Sequence, residues 1–351
     1  MMGMPMVVLF GVLAALGTAI LTFPVRKQLE RLGVVDIPNV RSSHTQVTVR
    51  GGGLAMVGII VALMASLAVT QRDWELIALI AAVLALSIVS MADDVRSISP
   101  VVRILVHSTC AIMAVGTFGL KELEITYSPQ FSLNVPAAIV LLIQFLWVVG
   151  YTNAFNFMDG INGIAAGQAA VAGLGAAAFM VLYGNAGLSA AIGGIVGGAA
   201  LGFLPHNFPR ARVFMGDVGS ATLGYLLAVD LIMACRDSGW FVLLPLFMLH
   251  VDFVLDTGIT MVRRWWRGEE IWKAHREHFY QRLVRAGKSH TFTTGCTMLI
   301  QCLILLIVLN YPSFERHDRM ILLSGIIGLW LVLFFLIECY FRRWQTRESS
   351  E

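Results

Sequence analysis

The chain has 351 residues, of which 57% are hydrophobic and 13% charged, with a net charge of +3 and a mean hydropathy of +0.76. A soluble domain carries about 25% charged residues, so the polar coating is roughly half of what water requires and lipid is the main solvent. The small net charge does not imply nucleic acid, and none is expected as a partner. The five cysteines, Cys110, Cys235, Cys296, Cys302 and Cys339, form no CxxC pair or disulfide framework and read as free buried thiols.

Apolar runs long enough to cross a bilayer as helix fall near 5–23, 52–70, 75–91, 101–119, 136–152, 164–183, 186–204, 218–235, 240–260, 291–311 and 320–341. The pattern predicts an all-α, polytopic integral membrane protein of about eleven helices, with 75–91 and 136–152 the shortest. The first run has no Lys or Arg before it, unlike a cleavable signal, and reads as an uncleaved span with its N-terminus outside. With that orientation twenty of the 25 Lys and Arg fall in cytoplasmic segments, together with the C-terminus, as the positive-inside rule requires. No internal repeat or long linker divides the chain, so 1–351 reads as one transmembrane domain. The basic stretch 261–290, with Trp265, Trp266 and Trp272, is expected to form a cytoplasmic basic loop or an amphipathic helix at headgroup level and to contribute to the site.

The same map gathers the acids on one membrane face. Asp93 and Asp94 close the third span. Solvated helix-end charges are one reading. A cation relieving their repulsion is the other, and with Asp217 they offer hard oxygens of the kind Mg2+ takes. The segment after the fifth span carries Asn153, Asn156, Asp159, Gly160, Asn162 and Gly163 without one Lys or Arg. A plain turn seldom needs so many amides and glycines, which provide directed hydrogen bonds and close backbone approach. Asp217, in Met215–Ser220, stands where an apolar helix opens, as an N-cap, beside a phosphate-binding helix N-terminus, or both. His275 and His278 share a face if helical. They fail the HExxH zinc pattern, leaving diphosphate binding or a solvated basic loop. Arg50-Gly51-Gly52-Gly53 has the look of an anion-binding loop, whereas Ala286–Ser289 lacks the first glycine of a P-loop.

Taken in order, the DD pair, NxxNxxDGxNG, FMGDxGS and HxxH followed by a basic helix resemble the polyprenyl-phosphate N-acetylhexosamine-1-phosphate transferases. This is the glycosyltransferase family 4 type that includes the phospho-MurNAc-pentapeptide translocase of peptidoglycan synthesis. Val35–His44 and Arg50–Gly53 look like its first cytoplasmic loop, and the likeness runs from about residue 33 to 290. It implies transfer of sugar-1-phosphate from a UDP-N-acetylhexosamine to polyprenyl phosphate at a bacterial inner membrane, with release of UMP. Mg2+ would be the cofactor, with Mn2+ as a tolerated substitute, and a homodimer is left open. By motif, Asp217 would bind the metal. Asp93 and Asp94 would handle the lipid phosphate as base or further metal support. Asn156 and Asp159 would line the nucleotide and diphosphate site with Asn153, Asn162 and Arg50 nearby, and His275 and His278 would serve the sugar-nucleotide end. Asn162 replaces an Asp common among relatives, and HREH replaces histidine-richer forms. The HREHFYQRLVRAG form looks like the branch that begins O-antigen-like glycans, with UDP-GlcNAc, UDP-FucNAc or UDP-QuiNAc as donor. A secondary transporter is the rival reading, but it should show inverted repeats and polar groups at the middle of broken spans.

Overall fold

A computed structural model of the chain describes residues 3–38, 46–96, 98–128, 131–270 and 275–348. The expected spans all form as helices: α1 (Met4–Arg31), α2 (Gly53–Gln71), α3 (Trp74–Val95), α4 (Pro100–Phe118), α5 (Ala137–Met158), α6 (Ile164–Tyr183), α7 (Leu188–Asn207) and α8 (Asp217–Ser238). A short α9 (Leu243–Met248) and α10 (Val251–Trp266) follow, then α11 (Phe279–Arg285), α12 (His290–Asn310) and α13 (Arg316–Glu348). Among the described residues, ten helices are long and apolar enough to cross a membrane, eleven counting the bent α9–α10 pair as one span.

The two runs expected to be short are 22-residue helices. Their polar ends, with Asp93 and Asp94 in α3 and Asn153 and Asn156 in α5, remain helical; Asp93, Asp94 and Asn156 find partners on other elements and Asn153 bonds back to the Val149 carbonyl. The expected ninth span is not straight: its two parts meet at 72° around Leu249 and His250. Backbone groups freed inside a membrane bundle need partners. Here Gln168 Nε2 donates to the Leu249 carbonyl at 2.6 Å, and His250 Nδ1 pairs with the Tyr151 hydroxyl at 2.6 Å.

α8 is the hub, buried along its whole apolar length and packed by α3, α5 and α7. α6 and α7 meet through small residues, which permit the close backbone approach on which helix association in lipid depends. A Cβ on Gly173 would lie 2.7 Å from the Gly193 carbonyl oxygen. Outward faces are apolar, as at Ile20 and Ile88, consistent with lipid contact. The cysteines are free, but only Cys110 and Cys235 are buried by protein; Cys296 and Cys302 lie on outward faces of α12. Among the described residues, two short antiparallel strand pairs are formed: β1 (Val35–Asp36) with β2 (Thr48–Val49), and β3 (Leu123–Ser128) with β4 (Phe131–Val135).

The stretch 261–290 is not one amphipathic helix. α10 runs on to Trp266, the described residues after it (267–270 and 275–278) are not helical, and α11 begins at Phe279. Trp265 and Trp266 are exposed, while Trp272 lies outside the described residues, as does Asn39–His44 of the first loop motif.

Candidate active site

Two backbone segments bring the first parts of the site together. Val49 and Val213 form a parallel bridge, and the Gly52 and Gly53 amides donate to the Phe214 and Met215 carbonyls at 2.9 and 2.8 Å. That pairing sets Arg50, just before α2, against Asp217 at the start of α8. The approach depends on absent side chains: a Cβ on Gly53 would lie 2.4 Å from Gly219 Cα. Gly216 adopts φ 74°, and a Cβ there would sit 2.5 Å from an Asp94 carboxylate oxygen.

Asp93, Asp94 and Asp217 converge on two guanidiniums. Arg50 binds Asp94 through Nε at 2.7 Å and Asp217 at 2.8 Å. Arg103, in the first turn of α4, uses one nitrogen to reach Asp93 at 2.8 Å and Asp217 at 3.2 Å. Charge-assisted pairs of this kind are among the stronger hydrogen bonds. Burial disfavours the charge on Arg50, but Asp94 and Asp217 outweigh it and raise its pKa, so Arg50 stays cationic.

The three acids are not equivalent. The Asp94 side chain is fully buried and accepts from the backbone amides of Asp217 at 2.9 Å and Val218 at 3.1 Å. Asp94 thus caps α8 from another helix. Asp217 is not the N-cap, which is Gly216, and these two amides at the α8 N-terminus are already occupied rather than open to a phosphate. Asp93 accepts from the Ile98 amide at 2.6 Å and stays partly open at its other oxygen, beside Arg103. The Asp217 side chain is the most exposed of the three, at 19%.

Asp159 stands just past α5, half-buried and with no ion pair among the described residues. Burial, then the negative charges of Asp217 and Asp94, push its carboxyl up to about 7, with Arg50 opposing. A carboxyl poised there suits proton transfer near neutrality. Asn156 Nδ2 donates to Ser220 Oγ on α8 at 2.9 Å. Asn153 instead bonds back along its own helix to the Val149 carbonyl, and Asn162 turns away to the Pro209 carbonyl at 3.1 Å.

The histidines precede α11 rather than sharing its face, with ring centroids 4.9 Å apart. His278 is buried and its Nδ1 bonds Asp256 of α10 at 2.9 Å. The same carboxylate accepts from the amides of Phe279 at 2.9 Å and Tyr280 at 3.4 Å. The Tyr280 hydroxyl then donates to the Phe157 carbonyl at 3.1 Å and stands over Gly160, where a Cβ would be 2.2 Å away. Asp256 therefore ties the histidine loop to the turn that carries Asp159. His275 is half-buried; burial, then His278 and Arg264, hold its pKa down to about 4, leaving a neutral ring.

Sequence reasoning missed Arg103, Ser220 and Asp256. Arg103 was visible only as one of many basic residues, and Asp256 as a polar interruption of an apolar run. Much of the positive charge in the loop is answered by acids: Glu277 pairs with Arg264, Arg267 and Arg282, and Glu338 on α13 pairs with Arg263 and Arg282.

Among the described residues no three His, Cys, Asp or Glu side chains form a closed metal cage. Mg2+ needs only one or two carboxylates when substrate phosphates complete its shell. Asp217 and Asp93, which touch one Arg103 nitrogen, fit that open arrangement; Asp94, buried and fully engaged, does not.

Residues 76–235 match the family described as Glycosyl transferase family 4. A Bacillus subtilis protein named "Probable undecaprenyl-phosphate N-acetylglucosaminyl 1-phosphate transferase" is 31% identical over 82% of this chain and 80% of its own length. The decaprenyl-phosphate N-acetylglucosaminephosphotransferase of Mycobacterium tuberculosis is 34% identical over 80% of this chain and 76% of its own. A phospho-N-acetylmuramoyl-pentapeptide-transferase of Synechococcus is 31% identical over 61% of this chain and 60% of its own.

Proposed function

This chain belongs to glycosyl transferase family 4, and on that premise we propose that it moves N-acetylhexosamine-1-phosphate from a UDP-sugar to undecaprenyl phosphate. UMP is released, and the product starts a cell-surface polysaccharide such as O-antigen at the cytoplasmic face of a bacterial inner membrane. As a family member the chain is a multi-pass membrane phosphosugar transferase. The observation that carries the finer reading is the carboxylate cluster bridged by Arg50 and Arg103 at the end of the bundle.

The reaction brings an anionic lipid phosphate to an anionic diphosphate, so charge repulsion is the main obstacle. Arg50 and Arg103, each now satisfied by carboxylates, turn onto phosphate oxygens when substrates arrive. Asp217, with Asp93 beside it, would hold Mg2+, which would neutralise diphosphate charge and favour departure of UMP. Asp159 takes the proton from the lipid phosphate, and Asn156 orients the donor from its place against Ser220. Asp94 holds the α8 terminus in place. His275 presents a neutral ring toward the sugar nucleotide, and His278, bound to Asp256, sets the loop that carries it.

Purified protein in detergent is incubated with undecaprenyl phosphate, Mg2+ and UDP-GlcNAc, UDP-FucNAc or UDP-QuiNAc, and UMP is followed. Lipid-dependent UMP from one donor is expected, with turnover lost in Asp217→Asn. Absence of UMP and of donor binding in folded protein overturns the reading and favours transport; near-wild-type turnover by Asp217→Asn removes that residue as the metal ligand.

A further inference from the structure

The break between α9 and α10 holds a polar cluster that the proposed reaction does not use. Asp252, in the first turn of α10, is 2% exposed, and Gln168 of α6 and Gln301 of α12 are fully buried. Gln301 lies beside the Asp252 carboxyl. Gln168 lies beside the Tyr151 hydroxyl, which the Asp252 charge also reaches. Three helices thus bring polar side chains together at the bend of one span. Among the described residues, no hydrogen-bond partner meets either Asp252 oxygen, either end of the Gln301 amide or the Gln168 Oε1. Gln168 has committed its nitrogen to the Leu249 carbonyl, so its oxygen is the end left over. The Tyr151 hydroxyl is already paired with His250.

Unsatisfied oxygens inside a membrane bundle are costly, an ionised carboxylate most of all. Within this set four oxygens accept, whereas Gln301 Nε2 is the one nitrogen left to donate. A proton on Asp252 would serve one of those oxygens; a positive ion among them serves the whole set. The set holds a single carboxylate, so a monovalent ion balances its charge and a divalent one would leave an excess. Asp256, one turn along α10, cannot make up that excess, since it is engaged by His278 and the Phe279 amide. We infer that Asp252, Gln168 and Gln301 form an intramembrane site for a monovalent cation such as Na+, which secures the bend of the ninth span. Broken spans are places where oxygen ligands can hold such an ion. The ion would also offset the repulsion between Asp252 and Asp256, like charges at i and i+4. It would thereby steady the helix to which the histidine loop is tied.

The test follows thermal unfolding of the purified full chain in sodium chloride and in N-methyl-D-glucamine chloride, whose cation is too large for the site, at equal ionic strength. Wild type is expected to melt about 2 °C higher for each tenfold rise in Na+ beyond its Kd. Asp252→Asn, which keeps the shape and removes the charge, is expected to melt alike in both salts. Equilibrium binding of radioactive Na+ gives a second reading. The bound ion is expected to persist in Asp217→Asn, remote from the bend, and to be lost in Asp252→Asn. Equal melting of wild type in both salts with no ion bound means that a proton satisfies Asp252, and overturns the inference. Loss of the ion in Asp217→Asn places it at the carboxylate cluster instead, and its retention in Asp252→Asn removes that carboxylate as a ligand; either result overturns the inference. Neither reading depends on turnover, so the outcome stands apart from the reaction proposed above.

Discussion

At the scale of single residues, one motif contains groups with different physical work. Adjacent Asp93 and Asp94 are indistinguishable in the sequence, yet Asp94 is sealed against backbone amides while Asp93 keeps an oxygen toward the site. The difference arises because neighbours on a helix point about 100° apart, and only one of the two directions meets the α8 terminus. Arg103 escaped notice for a related reason: it stands ten residues from Asp93, on the next helix, and only the packing of α4 against α3 brings the two together. Asp159 yields the clearest prediction. Its raised carboxyl pKa means that the folded protein keeps a proton which the unfolded chain loses near pH 4. Ionising Asp159 therefore costs stability as pH rises from about 4 to 7, and the base form exists above about pH 7. The kcat/KM profile is expected to rise with pH through an apparent pKa near 7. Asp159→Asn should lose that limb and Asp159→Glu keep it. A profile unchanged in Asp159→Asn would remove Asp159 as the proton acceptor.

At the scale of elements, the site is held by pieces that cross between helices. Asp256 on α10 gathers His278 and the first amides of α11, and Tyr280 passes the constraint to the Asp159 turn. Removing a buried carboxylate leaves those donors without a partner, at a cost on the order of 3 kcal/mol. Asp256→Ala is expected to lower the melting temperature and to speed amide exchange across 276–285, while Asp256→Asn, which retains an acceptor, recovers part of both. Unchanged exchange in the alanine variant would mean that α11 is held by Glu338 and its arginines instead. The spans themselves were legible because runs of apolar residues near twenty in number have one stable fate in lipid. The bend between α9 and α10 was not, since the groups that stand at it are distant in sequence: Gln168 donates to the Leu249 carbonyl and the Tyr151 hydroxyl pairs with the His250 ring.

At the scale of the whole molecule, Arg50, Asp93, Asp159, Asp217 and α11 all lie at one end of the bundle, and from the charge bias we propose that this end faces the cytoplasm. In a variant with its native cysteines replaced by serine, Trp266→Cys should react with an impermeant maleimide only in inside-out vesicles, and Lys121→Cys only in right-side-out ones. The reverse pattern would invert the topology and place the proposed donor on the wrong side. Hydropathy, charge bias and motif order are properties of local composition, and they were enough to determine a polytopic bundle with its acids grouped near one face. Which acid stays open to ligand and which arginines bridge them depend on contacts between residues as far apart as Arg50 and Asp217. Those contacts exist only once α8 is enclosed by its neighbours, so the tertiary structure alone decided them.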